Sequence, residues 1–85
     1  MIYKLFDDFY FVINVKNKEF MVAFGKNLKK LRKEVELTQE DLANDCNISL
    51  SQIGRIERGE INTTISTLYV LAKALDIEVA ELFKF

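Results

Sequence analysis

The 85-residue sequence contains no histidine, no proline and no tryptophan, and it has a single cysteine. It therefore lacks the usual zinc ligand sets, a Cys-His pair and a Ser-His-Asp triad. We expect no metal site, no cofactor and no enzymatic activity. One cysteine cannot form an internal disulfide. We interpret Cys46 as buried packing rather than as a reactive thiol.

The sequence also lacks an uninterrupted apolar run of about 18 residues, which a membrane-spanning helix requires. Asp7 and Asp8 interrupt the opening stretch, where a signal peptide needs an apolar segment. These absences predict a soluble, cytoplasmic protein with no membrane contact. The length allows one small domain, whose stability depends on good helix packing or on a partner subunit.

The charges nearly cancel, with a formal net charge of −1, which argues against nonspecific binding to polyanions. Their distribution is uneven, because residues 25–33 contain five cations and no acid: Lys26, Lys29, Lys30, Arg32 and Lys33. Acidic residues follow almost at once. One face of the molecule can therefore be basic, although each single lysine is explained as well by a solvated helix face.

The first 20 residues differ in pattern from the rest. Residues 9–15 alternate in period two and are rich in aromatic and β-branched side chains, which predicts a β-strand in an N-terminal extension of residues 1–20. A lone strand has unpaired backbone groups, so we hypothesise that it pairs with the same strand of a second copy. The alternative is a tail that packs on its own domain.

From Phe20 onwards the apolar residues are spaced by three and four, which predicts a first helix over residues 22–34. Capping signals mark the starts of three further helices: Thr38 with Asp41, Ser49 with Gln52, and Thr64. Gly59 stands where a left-handed residue ends the third helix. Residues 79–83 suggest a short fifth helix. The pattern predicts an all-α domain of five helices over residues 21–85.

The link between the second and third helices is short and consists of Asn47 and Ile48. This length is typical of a tight helix-turn-helix. Such a turn often needs a residue with positive φ, which asparagine tolerates better than most side chains. The small Ala43, one turn earlier, lets the two helices approach each other.

The sequences LTQEDLA (residues 37–43), NIS (47–49) and IGRIERG (53–59) resemble the lambda-repressor-like helix-turn-helix family of the Cro/cI or XRE type. The resemblance covers about residues 21–85 and leaves residues 1–20 outside. It implies that the third helix lies in the major groove of double-stranded DNA, while the second helix crosses the phosphate backbone.

The resemblance implies roles for particular residues. It assigns base reading to Leu50, Ser51, Gly54 and Arg55, which match exposed recognition positions. Phosphate contacts are expected from Gln39, Ser49, Gln52, Arg58, Asn62 and Thr63. For Arg58, complementing the helix dipole is an equally good interpretation, and Gln52 and Asn62 can be purely local in role. A structural ion pair between the first and third helices is expected from Arg32 and Glu57.

Two of the base-reading positions carry a specific expectation. The guanidinium of Arg55 can donate two parallel bonds to guanine, which makes it the first candidate for sequence specificity. Gly54 has no side chain at a position expected to face the groove, so it suggests either a close backbone approach to DNA or a merely tolerated glycine.

The resemblance implies a sequence-specific transcriptional regulator that binds an inverted repeat as a homodimer, similar to phage repressors, restriction-modification controllers and antitoxins. The aromatic N-terminal segment motivates an alternative, in which the chain is an antitoxin or adaptor-type module that binds a protein partner. A second possible dimer interface lies near the C-terminal helices, at Tyr69, Ile77, Phe83 and Phe85.

Overall fold

The computed structural model describes the backbone of residues 6–85 and the side chains of residues 17–85. It contains four α-helices followed by one 3-10 helix: α1 (Phe6–Glu34), α2 (Gln39–Cys46), α3 (Leu50–Glu57), α4 (Ile65–Ala74) and the 3-10 helix Val79–Phe83. Residues 6–85 form no strand. The expected all-α class is confirmed.

The predicted strand over residues 9–15 is wrong, because this segment belongs to α1, which is 29 residues long and begins at Phe6 instead of residue 22. A single strand has no partner within the described chain, whereas a helix satisfies its own backbone groups. Once a helix exists, each added residue contributes one hydrogen bond. Aromatic and β-branched residues lower that gain by only about 0.7 kcal/mol or less per residue.

The predicted fifth α-helix is also wrong, because residues 79–83 form a 3-10 helix. The segment has only five residues, and Glu78 at its start makes no capping hydrogen bond through its side chain. Tight 3-10 geometry is the usual form of so short a helical piece.

The capping signals of the sequence operate as expected. The Thr38 hydroxyl accepts from the Asp41 amide at 3.0 Å, and the Asp41 carboxylate accepts from the Thr38 amide at 3.0 Å. These bonds lower the pKa of the Asp41 carboxyl. The Ser49 hydroxyl accepts from the amide of Gln52 in the same way, at 3.0 Å. The starts of α2 and α3 are therefore set by local side chains.

A residue with positive φ follows each α-helix within two positions, and three of these four residues are not glycine: Glu36, Asn47, Gly59 and Asp76. After Asn47, whose φ is 57°, the Ile48 amide donates to the Ala43 carbonyl at 3.0 Å. This arrangement satisfies carbonyls at the helix end and stops the helix abruptly. The positive φ predicted for Asn47 is confirmed, and it gives the turn that joins α2 to α3.

The largest fully buried side chains among residues 17–85 come from every helix of the domain: Leu28, Leu42, Ile53, Ile56, Leu71 and Leu82. The amide of buried Asn27 donates to the carbonyls of Glu81 and Leu82 at 3.1 and 2.8 Å, which ties the 3-10 helix to α1. The inner face of α3 lies in this core, and its outer face is left at the surface.

Cys46 is buried, as expected, and its thiol donates to the Val70 carbonyl at 3.5 Å. Burial raises the pKa of this thiol, with a smaller contribution from the charge of Asp45. Among residues 6–85, no helix is both long and apolar enough to cross a membrane.

Candidate nucleic-acid interface

The outer side of α3 presents Leu50, Ser51 and Arg55 to solvent. Ser51 and Arg55 are four positions apart and therefore lie on the same side of the helix, and Leu50 precedes Ser51 at the start of the helix. The Arg55 guanidinium makes no hydrogen bond or ion pair with any residue from 17 to 85. Its fork of donors is therefore available to a ligand with paired acceptors.

Gly54 departs from its expected position, because the structure buries it. The Arg58 guanidinium lies over it, and a Cβ added at Gly54 would lie 3.0 Å from Nη1 of Arg58. The expectation of an exposed recognition position is wrong here. A side chain four residues further along the helix covers the glycine, which the family pattern alone does not indicate.

Arg58 is exposed and pairs with Glu60, a residue to which the sequence analysis gives no role. Its Nε donates to Oε2 of Glu60 at 2.8 Å, and its Nη2 donates to Oε1 at 3.3 Å. The hydrogen bond from Arg58 lowers the pKa of the Glu60 carboxyl. The available signal was an arginine and a glutamate on either side of Gly59, whose left-handed turn brings them together.

The expected phosphate-contacting residues flank α3 on both sides in the chain. Gln39 is the first residue of α2, and its amide donates to Glu57 at 2.9 Å. This amide carries two hydrogens, so one remains for another acceptor. Ser49 is exposed at the start of α3, Gln52 is half-buried in its first turn, and Asn62 and Thr63 lie in the loop after it.

Arg32 and Glu57 form a buried, two-point ion pair between α1 and α3. Nε of Arg32 lies 2.6 Å from Oε2 of Glu57, and Nη2 lies 3.1 Å from Oε1. The third nitrogen of Arg32 donates to the Leu37 carbonyl at 2.8 Å. No buried side-chain nitrogen or oxygen in the described part of the chain lacks a partner. This pair holds the end of α3 and is not available to bases.

Close contact between helix backbones supports the same region. A Cβ added at Gly25 of α1 would lie 2.4 Å from the Glu57 carbonyl oxygen and 2.5 Å from that of Ile56. Only a glycine allows α1 to approach α3 so closely. The buried pair and this contact set the position of α3 relative to α1, and thereby the direction of its outer face.

The arrangement is a helix-turn-helix whose second helix has an exposed polar side. The model of the helix-turn-helix family HTH_3 matches residues 28–82, which is more than half of the chain. The chain belongs to this helix-turn-helix family. The resemblance to XRE-type regulators is confirmed, and the protein is a DNA-binding transcriptional regulator with repressor-like relatives.

Relatives of this helix-turn-helix protein include the immunity repressor protein of Bacillus phage phi105, with 43% identity over 59 residues. That match covers 69% of this chain and 41% of the repressor, so the chain spans less than half of the repressor's length. Control protein C.SmaI of Serratia marcescens is 42% identical over 58 residues, which cover 68% of this chain and 69% of that protein.

Among solved structures, the restriction-modification controller protein C.AhdI of Aeromonas hydrophila superposes with a TM-score of 0.73. It shares 43% identity, and the match covers 74% of this chain and 96% of C.AhdI. An HTH_3 family transcriptional regulator of Vibrio cholerae gives a TM-score of 0.74 at 33% identity, covering 79% of this chain and 38% of that chain. The relatives are regulators and repressors rather than enzymes.

Proposed function

We propose that this helix-turn-helix regulator binds an inverted repeat in double-stranded DNA as a homodimer, with α3 in the major groove. The observation that carries the proposal is Arg55 on the exposed side of α3, whose guanidinium has no hydrogen-bond or ion-pair partner among residues 17–85. Arginine reads guanine through two parallel bonds to O6 and N7. Ser51 beside it bonds a base or a phosphate, and Leu50 packs on a thymine methyl.

The flanking residues then hold the phosphate backbone. The proposed phosphate contacts are Gln39, Ser49, Gln52, Arg58, Asn62 and Thr63. Gln39 supports this role because its hydrogen bond to Glu57 orients an amide that still has one free hydrogen. Gly54 contributes a close backbone approach only after the Arg58 side chain moves away from it. We propose residues 21–85 as the DNA-binding domain and residues 1–20 as an N-terminal extension.

The homodimer contact is proposed at the C-terminal end of the domain. Strand pairing is no longer an option, because residues 9–15 are helical. Tyr69, Phe83 and Phe85 are exposed, and Ile77, which lines a cleft with Tyr69, is half-buried. A second copy would remove this apolar surface from water. Two recognition helices related in this way would read half-sites about one helical turn, roughly 34 Å, apart.

The phage immunity repressor and the controller proteins among the relatives support a role in regulation by occupancy of an operator. Blocking or recruiting polymerase requires no catalysis. We therefore propose that the concentration of the protein, or of a partner, sets the degree of regulation.

Selection of binding sequences from a randomised DNA pool tests the proposal, with Arg55→Ala in parallel and Lys30→Ala as the charge-matched control. We expect an enriched palindrome, and we expect Arg55→Ala to cost about 1 to 3 kcal/mol at that site and to relax one base pair. Equal losses on every sequence would contradict base reading by Arg55. A folded protein that enriches nothing would favour the alternative of a protein-interaction module.

Light scattering tests the dimer. We expect the wild type to be a dimer, and Tyr69→Ser to shift it towards the monomer because this change removes apolar area from the proposed contact. Leu50→Ser is the control, since Leu50 is an exposed apolar residue on α3. A monomeric wild type at the concentrations that bind DNA would overturn the homodimer.

A further inference from the structure

Glu60, just after the end of α3, is a carboxylate held among cations. The Arg58 guanidinium donates two hydrogen bonds to it, of 2.8 and 3.3 Å. The positive charges of Arg55 and Lys18 act on the same carboxylate and help to lower its pKa, after the larger contribution of the Arg58 hydrogen bond. At the end of α3 the Glu60 carboxylate therefore pairs with Arg58 and also experiences the positive charges of Arg55 and Lys18.

The part of α1 that contains Lys18 lies against the loop after α3. A Cβ added at Gly59 would lie 2.7 Å from Cα of Val22, so the two backbones are in contact. Asn17 lines a cleft together with Asn62 and Thr63 of the loop. Lys18 directly follows Asn17 in α1, and its charge acts on the Glu60 carboxylate. It precedes the family match over residues 28–82.

The Arg58 guanidinium can bind a phosphate as well as a carboxylate. An arginine fork makes two parallel bonds to either group. The pair is open to solvent, with 59% of the Arg58 side chain and 50% of the Glu60 side chain exposed. Exposed ion pairs contribute little to stability, so a phosphate on a highly charged polyanion can displace the Glu60 carboxylate.

We propose that Arg58 and Lys18 form a binding site for one DNA phosphate, and that the Glu60 carboxylate occupies this site in the free protein. The inference rests on the proposed DNA binding. When the phosphate displaces Glu60, Arg58 moves off Gly54 and opens the backbone of α3 to the groove. Glu60 thus weakens binding to every DNA sequence, and α1 adds a contact beyond the helix-turn-helix itself.

The test compares Glu60→Gln with Asp45→Asn, which removes an exposed carboxylate from the last turn of α2. Binding is measured by fluorescence anisotropy on the selected operator duplex and on a scrambled duplex, over a range of salt concentrations. We expect Glu60→Gln to bind both duplexes about threefold more tightly than Asp45→Asn does, because the phosphate no longer competes with a carboxylate.

The salt dependence gives a second readout. Glu60→Gln leaves the number of neutralised phosphates unchanged, so its plot of log affinity against log salt should keep the wild-type slope to within about half a unit. Arg58→Gln and Lys18→Gln should each weaken binding to both duplexes and flatten this plot by about one unit.

A double variant shows whether Glu60 acts through Arg58. In the Arg58→Gln background, we expect Glu60→Gln to gain no more than Asp45→Asn does. The inference is overturned if Glu60→Gln matches Asp45→Asn in the wild-type background, or if its full gain persists without Arg58; DNA binding itself then still stands. A folded wild type that binds neither duplex would overturn both the inference and the proposed function.

Discussion

Two arginine–glutamate pairs, whose glutamates are three residues apart in the sequence, differ in their exposure to water. Arg32 and Glu57 form a two-point pair in which 7% and 2% of the side chains are exposed. Arg58 and Glu60 make the same two-point contact with 59% and 50% exposed. The bonding is nearly identical, so the difference lies in the surroundings. Access of water decides whether such a pair holds the fold or can exchange its partner.

The buried pair is embedded in further hydrogen bonds. Glu57 also accepts from the Gln39 amide at 2.9 Å, and Arg32 also donates to the Leu37 carbonyl at 2.8 Å. Loss of one member would leave the other charged and without water. In the exposed pair, solvent can replace either partner, so the loss of one member leaves the other hydrated.

Each pair is accompanied by a glycine of a different kind. Gly25 lies beside the buried pair, and the atoms that a Cβ would meet there are backbone carbonyl oxygens of α3. Gly54 lies under the exposed pair, and the nearest atom to a Cβ there is the far end of the Arg58 side chain. Backbone cannot move away locally, whereas a flexible side chain can. The same substitution at the two glycines should therefore have opposite effects.

The largest expected effect breaks the buried pair. Arg32→Met leaves Glu57 buried without its cation and should lower the free energy of unfolding by about 3 to 5 kcal/mol. Urea denaturation followed by circular dichroism measures this change. Lys30→Met, on the exposed side of α1, is the control and should change stability by no more than about 0.5 kcal/mol. Similar values for the two variants would refute the distinction between buried and exposed cations.

The next effect concerns the close contact of α1 with α3. Gly25→Ala places a methyl group 2.4 Å from the Glu57 carbonyl oxygen. Forcing the two helices apart should destabilise the domain by about 1 to 3 kcal/mol, although alanine is the better helix former. The same denaturation experiment measures it. A stabilised variant would show that the two helices separate freely.

A smaller effect of opposite sign is expected at the exposed pair. Gly54→Ala should raise the free energy of unfolding by about 1 kcal/mol, because alanine favours the helix and Arg58 can move. The comparison with Gly25→Ala is internally matched, since both exchange a helical glycine for alanine. Destabilisation by Gly54→Ala would indicate that the Arg58 side chain is rigidly held.

The smallest effect is the acid titration of the exposed pair. Nuclear magnetic resonance should give Glu60 a pKa below the ordinary glutamate value, chiefly because Arg58 donates a hydrogen bond to it. A lowered folded-state pKa means that the stabilisation exists at neutral pH and is lost as the pH falls through that pKa. In Arg58→Gln the pKa should rise most of the way back, and in Lys18→Gln it should rise less. An unchanged pKa in Arg58→Gln would contradict the pairing.

The limits of sequence reasoning follow the same division. Thr38, Ser49 and Asn47 were interpretable because a cap or a tight turn depends on side chains within a few residues. The burial of Gly54 and the pairing of Glu60 were missed, since both depend on where the flexible Arg58 side chain lies. The strand over residues 9–15 was predicted from a period-two pattern, which indicates a strand only where another strand is available to pair with it.

The sequence by itself determined the starts of α2, α3 and α4, the turn between α2 and α3 and the membership of the helix-turn-helix family, because these depend on local capping groups and on a contiguous motif. Only the tertiary structure decided which arginine is structural and which is exchangeable. Burial is a property of the whole packed domain: Arg32 and Glu57 join α1 to α3, whose backbones meet at Gly25, and are buried, whereas Arg58 and Glu60 lie beyond the end of α3 and remain in water.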